Sequence, residues 1–234
     1  MNVPTMGMGP LQAMRQHVLR FLLLALLPLA CRAATLPPER EYTLQTRVLL
    51  QDDDEARQEL QRSGEGLAPE QAMDWQPTID DVPAWLGRQK FPAPSPAVTA
   101  AFADALGARL RKVRCAAQGF VPLGSPEIGL YALLCHYPDI EPLRPAYLAL
   151  QAANDAGRKA RSDALFSAWT LLLRDAPDIA HCTPVTGWYR AHDEFTHAER
   201  AHQLHQTVLA GLLPLDRWDA GTDIPDAGRL CDGE

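Results

Sequence analysis

Several signatures that would identify an enzyme or a membrane protein are missing from this 234-residue sequence. It has no Gly-x-Ser-x-Gly elbow, no Cys-x-x-Cys pair and no phosphate-binding glycine loop, so nucleophilic, redox and nucleotide chemistry lack a sequence signal. No stretch beyond residue 30 is long and apolar enough to span a bilayer, which needs about 20 residues. Lysine is scarce, with three among 22 basic residues, and no Asp or Glu occurs before Glu39. We therefore expect a water-soluble body whose function must be sought in other patterns.

The N-terminal segment 1–33 has the pattern of a secretory signal. A basic, acid-free stretch precedes the apolar run 21–30, which is too short to cross a membrane. Cleavage by signal peptidase would release a body starting near Ala34, which we expect to be periplasmic or secreted. The alternative is a bacterial lipobox ending at Cys31, which would anchor the protein through lipid on that cysteine. Membrane contact is expected only in this second case.

The remaining body, residues 34–234, is acidic. Removing the three arginines of the signal changes the formal net charge from −7 to −10. This charge argues against nucleic acid or an anionic membrane surface as the main partner. It suits a basic protein instead.

Four cysteines remain after processing, and their even number predicts two disulfides outside the cytoplasm. Segments 111–118 and 128–137 are typical of strands, and the Gly- and Pro-containing stretch 119–127 is typical of a hairpin loop. Pairing Cys115 with Cys135 places apolar residues opposite each other, with Ala117 facing Leu133. Cys182–Cys231 would then tie the C-terminal tail to the loop before the last long helix.

The whole pattern predicts one α+β domain, in which a small antiparallel sheet around 111–137 packs against three or four helices. Residues 42–50 alternate loosely and predict a further strand. The proline-rich segment 63–96 is expected to wrap over the surface, held by buried aromatic residues. Helices are predicted over 52–62, from Pro96 through Leu110, and over 145–156, 158–174 and 193–213.

Histidine is the one chemical concentration in the chain, since five of the seven lie between His181 and His205. His202 and His205 share a helical face, which we expect to point inward as satisfied structural histidines with a lowered pKa. The weaker alternative is a metal site formed by His181, His192, His202 and His205, because zinc needs at least three protein ligands. We predict no cofactor.

A second candidate site is the cluster Trp188, Tyr189, Arg190 and His192, which we expect to lie in a loop. Aromatic and arginine side chains are enriched among binding hot spots. The competing interpretation is a wrapped loop whose aromatic side chains cover the core.

These observations favour an exported binding protein of the bacterial cell envelope, such as an inhibitor or immunity-type protein that caps a secreted enzyme. The alternative is a secreted hydrolase, zinc-dependent in one version, that uses the His-rich C-terminal region. The sequence leaves open whether the protein is an enzyme.

Overall fold

The computed structural model describes residues 36–63, 69–188, 194–222 and 231, which all belong to the second of two units of the chain, Thr35–Glu234. The described residues form a mixed α+β fold, as predicted, with more helices than the sequence suggested. The helices are α1 (Pro38–Gln51), α2 (Asp54–Ser63), α3 (Gln76–Asp80), α4 (Val82–Gly87), α5 (Pro96–Leu110), α6 (Arg144–Gln151), α7 (Asp155–Asp175), α8 (Glu194–Leu212) and α9 (Leu215–Ala220), with a short 3-10 turn at Glu141–Leu143.

A three-stranded antiparallel sheet lies at the centre of the chain. Strands β1 (Arg114–Leu123), β2 (Ser125–Pro138) and β3 (Asp178–Trp188) are ordered β1-β2-β3. Cys115 lies opposite Cys135, which confirms the predicted register. Most of the segment predicted as a loop is strand instead. A bulge at Gly119 and a tight turn at Gly124, both with positive φ, let the hairpin continue through it.

Strand β3 corrects the expectation that the cysteine before the last helix lies in a loop. Residues 178–188 pair along their whole length with β2, Pro184 standing opposite Ala132. The N–H of Ala117 in β1 points away from β2. Backbone groups alternate in direction along a strand, and their directions are matched between paired antiparallel strands. The registers of the sheet therefore place the nitrogen of Pro184 on the side of β3 that faces away from β2. A proline there removes no ladder hydrogen bond, so it is compatible with an edge strand.

Helix α1 corrects the strand predicted over residues 42–50. Its threonine hydroxyls meet the free edge of β1: Thr46 Oγ1 donates to the carbonyl of Cys115 at 2.8 Å, and the N–H of Ala117 donates to Thr43 Oγ1 at 3.0 Å. An uncovered edge would present these backbone groups to other chains. The helix is therefore fixed by contacts about 70 residues away, which local alternation could not reveal.

A buried polar cluster joins α1 to α8. Arg200 Nη1 lies 2.6 Å from Gln45 Oε1 and 3.2 Å from Glu41 Oε1, and the side chains of Arg200 and Glu41 are both 3% exposed. The Arg200 guanidinium also lies 5.6 Å above the ring of Tyr42. These contacts hold α8 in one rotation about its axis, because a buried charge without its partner is costly.

In the described part of the proline-rich segment, residues 69–96, Trp75 and Phe91 are buried, each 5% exposed. Both predicted disulfides are formed, with Cα–Cα distances of 4.1 Å for Cys115–Cys135 and 6.2 Å for Cys182–Cys231. Such bonds are consistent with a protein that resides outside the cytoplasm.

Within the described residues, no helix combines the length and the apolar character needed to cross a membrane.

Candidate functional site

Helix α8 positions the candidate site through its two faces. Its buried stripe repeats every four residues and consists of Arg200, Leu204, Val208 and Leu212. The opposite side leaves Gln206 and Ala210 exposed. The expectation that His202 and His205 both point inward is therefore wrong for His202, which is exposed, whereas His205 is half-buried. His205 follows a buried leucine and lies beside the stripe, under the cover of α3.

The first concavity, which we call the Tyr137 groove, lies between α8, the end of β2 and α9. It has a volume of about 340 Å³ and is lined by residues that include Tyr137, Glu141, His181 and Arg217. Glu141 is ion-paired with Arg217 and also accepts the indole N–H of Trp218 at 3.2 Å. The charges of Glu141 and Arg217 thus already neutralise each other.

His181 has a defined orientation in the Tyr137 groove. Its ring stacks on that of Tyr137, with centroids 3.9 Å apart and planes 4° apart, and its Nε2 lies 3.1 Å from the Tyr137 carbonyl oxygen. A carbonyl only accepts, so Nε2 carries the proton and Nδ1 is the acceptor in the neutral ring. Burial lowers the pKa of His181 below its ordinary value of 6.5.

The second concavity, the Trp85 groove, lies between α3, α4 and the other flank of α8. It has a volume of about 460 Å³, with Asp81, Trp85 and His205 among its lining residues and Asp216 contributed by α9. Its apolar lining comes from proline, valine and leucine side chains as well as the indole ring. The groove therefore combines an apolar floor with carboxylates.

His205 lies in the wall of the Trp85 groove. Its ring stacks on Trp75 with centroids 5.1 Å apart, and its Nε2 is 3.0 Å from the hydroxyl oxygen of Thr78. Burial, with a smaller contribution from His202, lowers the pKa of His205. Both groove histidines thus take up protons at lower pH in the folded state than in the unfolded chain.

The two grooves adjoin each other, because Gln206 and Ala210 line both and form the ridge between them. We call the combined feature the paired grooves. The charged residues that line it are one guanidinium and four carboxylates, namely Arg217, Asp81, Asp139, Glu141 and Asp216. The paired grooves are therefore a concave and predominantly acidic surface.

Among the described residues, the histidines singled out in the sequence do not line one groove. Trp188 is the last residue of β3, whereas Tyr189, Arg190 and His192 lie outside the described residues. His181 lines the Tyr137 groove and His205 the Trp85 groove, while His202 lines neither. In the described part of the chain, no group of three or more His, Cys, Asp or Glu is placed to hold a metal ion.

Four residues that line the grooves were not predicted from the sequence, namely Asp81, Trp85, Asp216 and Arg217. The proline-rich composition of segment 63–96 concealed two short helices, each of which carries proline at its second residue, within the first turn where no intrahelical hydrogen bond is lost. The Asp81-to-Trp85 spacing of four residues is a usable signal once that helix is known. Arg217 and Asp216 carry no such signal, since only tertiary contact brings α9 to the grooves.

Comparison with protein-family models, with curated proteins and with solved structures found no match for this chain.

Proposed function

We propose that the protein is an exported binding protein of the bacterial cell envelope, and that the paired grooves receive a basic segment of a protein partner. One observation carries this proposal: the paired grooves are a concave surface with an apolar floor, lined by four carboxylates and one guanidinium. A secreted, basic enzyme that degrades cell wall or nucleic acid is the kind of partner that such a surface would cap. In this role the protein acts as an inhibitor or immunity-type protein.

The charges in the paired grooves differ in how far they are already neutralised. Glu141 is paired with Arg217, and Asp81 with Arg88 at 2.7 Å. Asp216, by contrast, makes no ion pair or hydrogen bond with other described residues. The acidic excess attracts a cationic segment during approach and raises the association rate at low ionic strength.

Affinity capture tests the proposal. The disulfide-bonded body is immobilised and exposed to envelope extract, in parallel with the double variant Asp81→Asn/Asp216→Asn. We expect the parent to retain a basic protein, identifiable by mass spectrometry, that is released at about 0.5 M salt because screening is then nearly complete. The double variant should retain much less of it.

The matched control is Asp104→Asn, which removes an exposed carboxylate from α5, away from the grooves. It should capture the partner as the parent does. Equal capture by the parent and the double variant would place binding elsewhere and overturn the proposal. Absence of any salt-sensitive partner would overturn it as well.

A second proposal, a secreted hydrolase, is favoured by one observation. The Tyr137 carbonyl fixes the tautomer of His181, and Nδ1 is then available as a proton acceptor in a groove that also contains Arg217. A hydrolase that depends on this base should lose activity in His181→Gln with an altered pH profile. If the hydrolase is zinc-dependent, the purified protein should carry one metal ion per chain, which metal analysis measures directly.

A further inference from the structure

We infer that the Trp85 groove is built to hold an arginine side chain, in preference to lysine, of the partner's basic segment. This inference rests on the proposed function, which it makes more specific by naming the side chain that anchors the partner. Three features of the groove support it: an aromatic ring beside a carboxylate, a second carboxylate, and an apolar surface.

The first feature is the aromatic ring of Trp85 beside the carboxylate of Asp81. Asp81 directly precedes α4, and its carbonyl accepts the N–H of Trp85 at 2.8 Å, so the two residues lie one helical turn apart on the same side. Both line the groove, and the indole is half-buried. A planar guanidinium can stack on an indole face while its N–H groups donate to a carboxylate. A lysine ammonium has no planar group with which to do both.

A second carboxylate lines the same groove. Asp216 lies in the first turn of α9, and no described residue pairs with it. The guanidinium has five N–H donors in a fork, so it can donate to more than one carboxylate at once, which a compact ammonium does less well. A second carboxylate in the same groove therefore favours arginine.

The floor is matched to the rest of an arginine side chain. Val82, Leu209 and Leu213 line the groove with apolar surface. The three methylene groups of an arginine can lie along such a surface while the charged head reaches the carboxylates. A ligand that is only cationic would leave this surface in water.

Asp81 already binds one guanidinium on its outer side. Arg88 Nη2 donates to Asp81 Oδ2 at 2.7 Å, and the two side chains are 60% and 53% exposed. Arg88 is not among the residues that line the groove. A carboxylate accepts several hydrogen bonds, so an incoming guanidinium can bind Asp81 beside Arg88.

The test uses the disulfide-bonded body and three acetylated, amidated nonapeptides. Each peptide carries four flanking lysines and differs from the others only in its central residue, which is arginine, lysine or citrulline. Calorimetric titration at low ionic strength measures the three dissociation constants. We expect the arginine peptide to bind about fivefold more tightly than the lysine peptide. Citrulline, which keeps the planar shape without the charge, should bind most weakly.

Variants locate the preference. Trp85→Leu should reduce the arginine-to-lysine ratio to about one, because the stacking surface is lost, while Trp85→Phe should keep most of it. Asp216→Asn should weaken the arginine peptide more than the lysine peptide, and Asp104→Asn should change neither. If Trp85→Leu fails to fold, the ratio of the affinities for the arginine and lysine peptides, measured in the parent and in Asp216→Asn, still tests the inference.

The outcomes separate this inference from the proposed function. Equal binding of the arginine and lysine peptides by the parent would overturn the inference. If both peptides were then weakened by Asp81→Asn/Asp216→Asn, the acidic groove would remain a site for basic segments. If no cationic peptide bound at all, both the inference and the proposed function would fall.

Discussion

Arg109 is the residue whose replacement tests the physical description of the fold most directly. Its guanidinium is 7% exposed and lies at the C-terminal end of α7. It donates to the carbonyl oxygens of Leu173 at 2.7 Å and Ala176 at 3.0 Å, and to Asp178 Oδ1 at 2.7 Å. One side chain thus satisfies carbonyls that a helix end leaves without partners and also fixes the first residue of β3.

Replacing Arg109 with methionine keeps most of the aliphatic stem and removes all of these hydrogen bonds. The buried carbonyl of Leu173 would then lose a partner at a cost of about 1–3 kcal/mol, and the partly buried carbonyl of Ala176 would lose one at a smaller cost. Asp178 is 35% exposed, so water can replace part of its interaction. We therefore expect Arg109→Met to reduce the free energy of unfolding by about 3 kcal/mol, at the lower end for a broken buried ion pair.

Thermal unfolding followed by far-ultraviolet circular dichroism measures this loss. In a domain of this size each kcal/mol corresponds to about 2–4 °C in the melting temperature, so the expected decrease is about 6–12 °C. The control is Arg174→Met on the same end of α7. Arg174 pairs with Asp175, but the two side chains are 62% and 60% exposed. Water and salt screen such an exposed pair, so it contributes little to stability and the control should melt within about 2 °C of the parent.

The two arginine variants together test whether burial gives Arg109 its larger contribution to stability. If Arg109→Met and Arg174→Met lowered the melting temperature equally, burial would not be the source of the difference in stability. A small effect of Arg109→Met alone would mean that solvent reaches these carbonyls after the substitution.

Two further predictions concern the surroundings of the paired grooves. Because the pKa values of His181 and His205 are lowered on folding, the unfolded chain binds more protons below pH 6.5, so the melting temperature should fall from pH 7 to pH 5.5. His181→Gln/His205→Gln should flatten that fall when melts are recorded across the range. At Gly211, an added β-carbon would overlap the buried tyrosine that forms the groove wall, so Gly211→Ala should reduce the free energy of unfolding by about 1–3 kcal/mol, as measured by urea titration.

Each of these two predictions has a matched control in the chain. His202→Gln replaces an exposed histidine on the same helix as His205 and should leave most of the pH dependence in place. A parent whose melting temperature does not change between pH 7 and 5.5 would contradict the burial of the two groove histidines. Gly157→Ala adds a β-carbon in helix α7 with only ordinary contacts, and should stabilise by about 0.5–1 kcal/mol. Stabilisation by Gly211→Ala would disprove the close approach at that position.

Elements whose cause is local could be predicted from the sequence. Helix α5 begins at Pro96 after Ser95, as the pattern indicates, because proline loses no hydrogen bond at a first helical position. Helices α7 and α8 follow from long stretches with helical periodicity. The Cys115–Cys135 register follows from apolar residues that must lie on the same face of a hairpin.

Elements that depend on contacts with distant parts of the chain could not be predicted from the sequence. Helix α1 alternates like a strand, and its helical state depends on hydroxyl groups that meet the edge of β1. Strand β3 contains a proline, and it forms because β2 offers an unpaired edge on that side.

The candidate site shows the same division most clearly. The acidic charge, the two disulfides and the histidine-rich last helix could be predicted, since they follow from composition and local spacing. The exposed face of α8 could not, because the buried contacts of Arg200 with Glu41 and Gln45 fix the rotation of that helix. That rotation places Gln206 and Ala210 on the ridge and directs the grooves toward solvent, an outcome that depends on residues more than 150 positions apart.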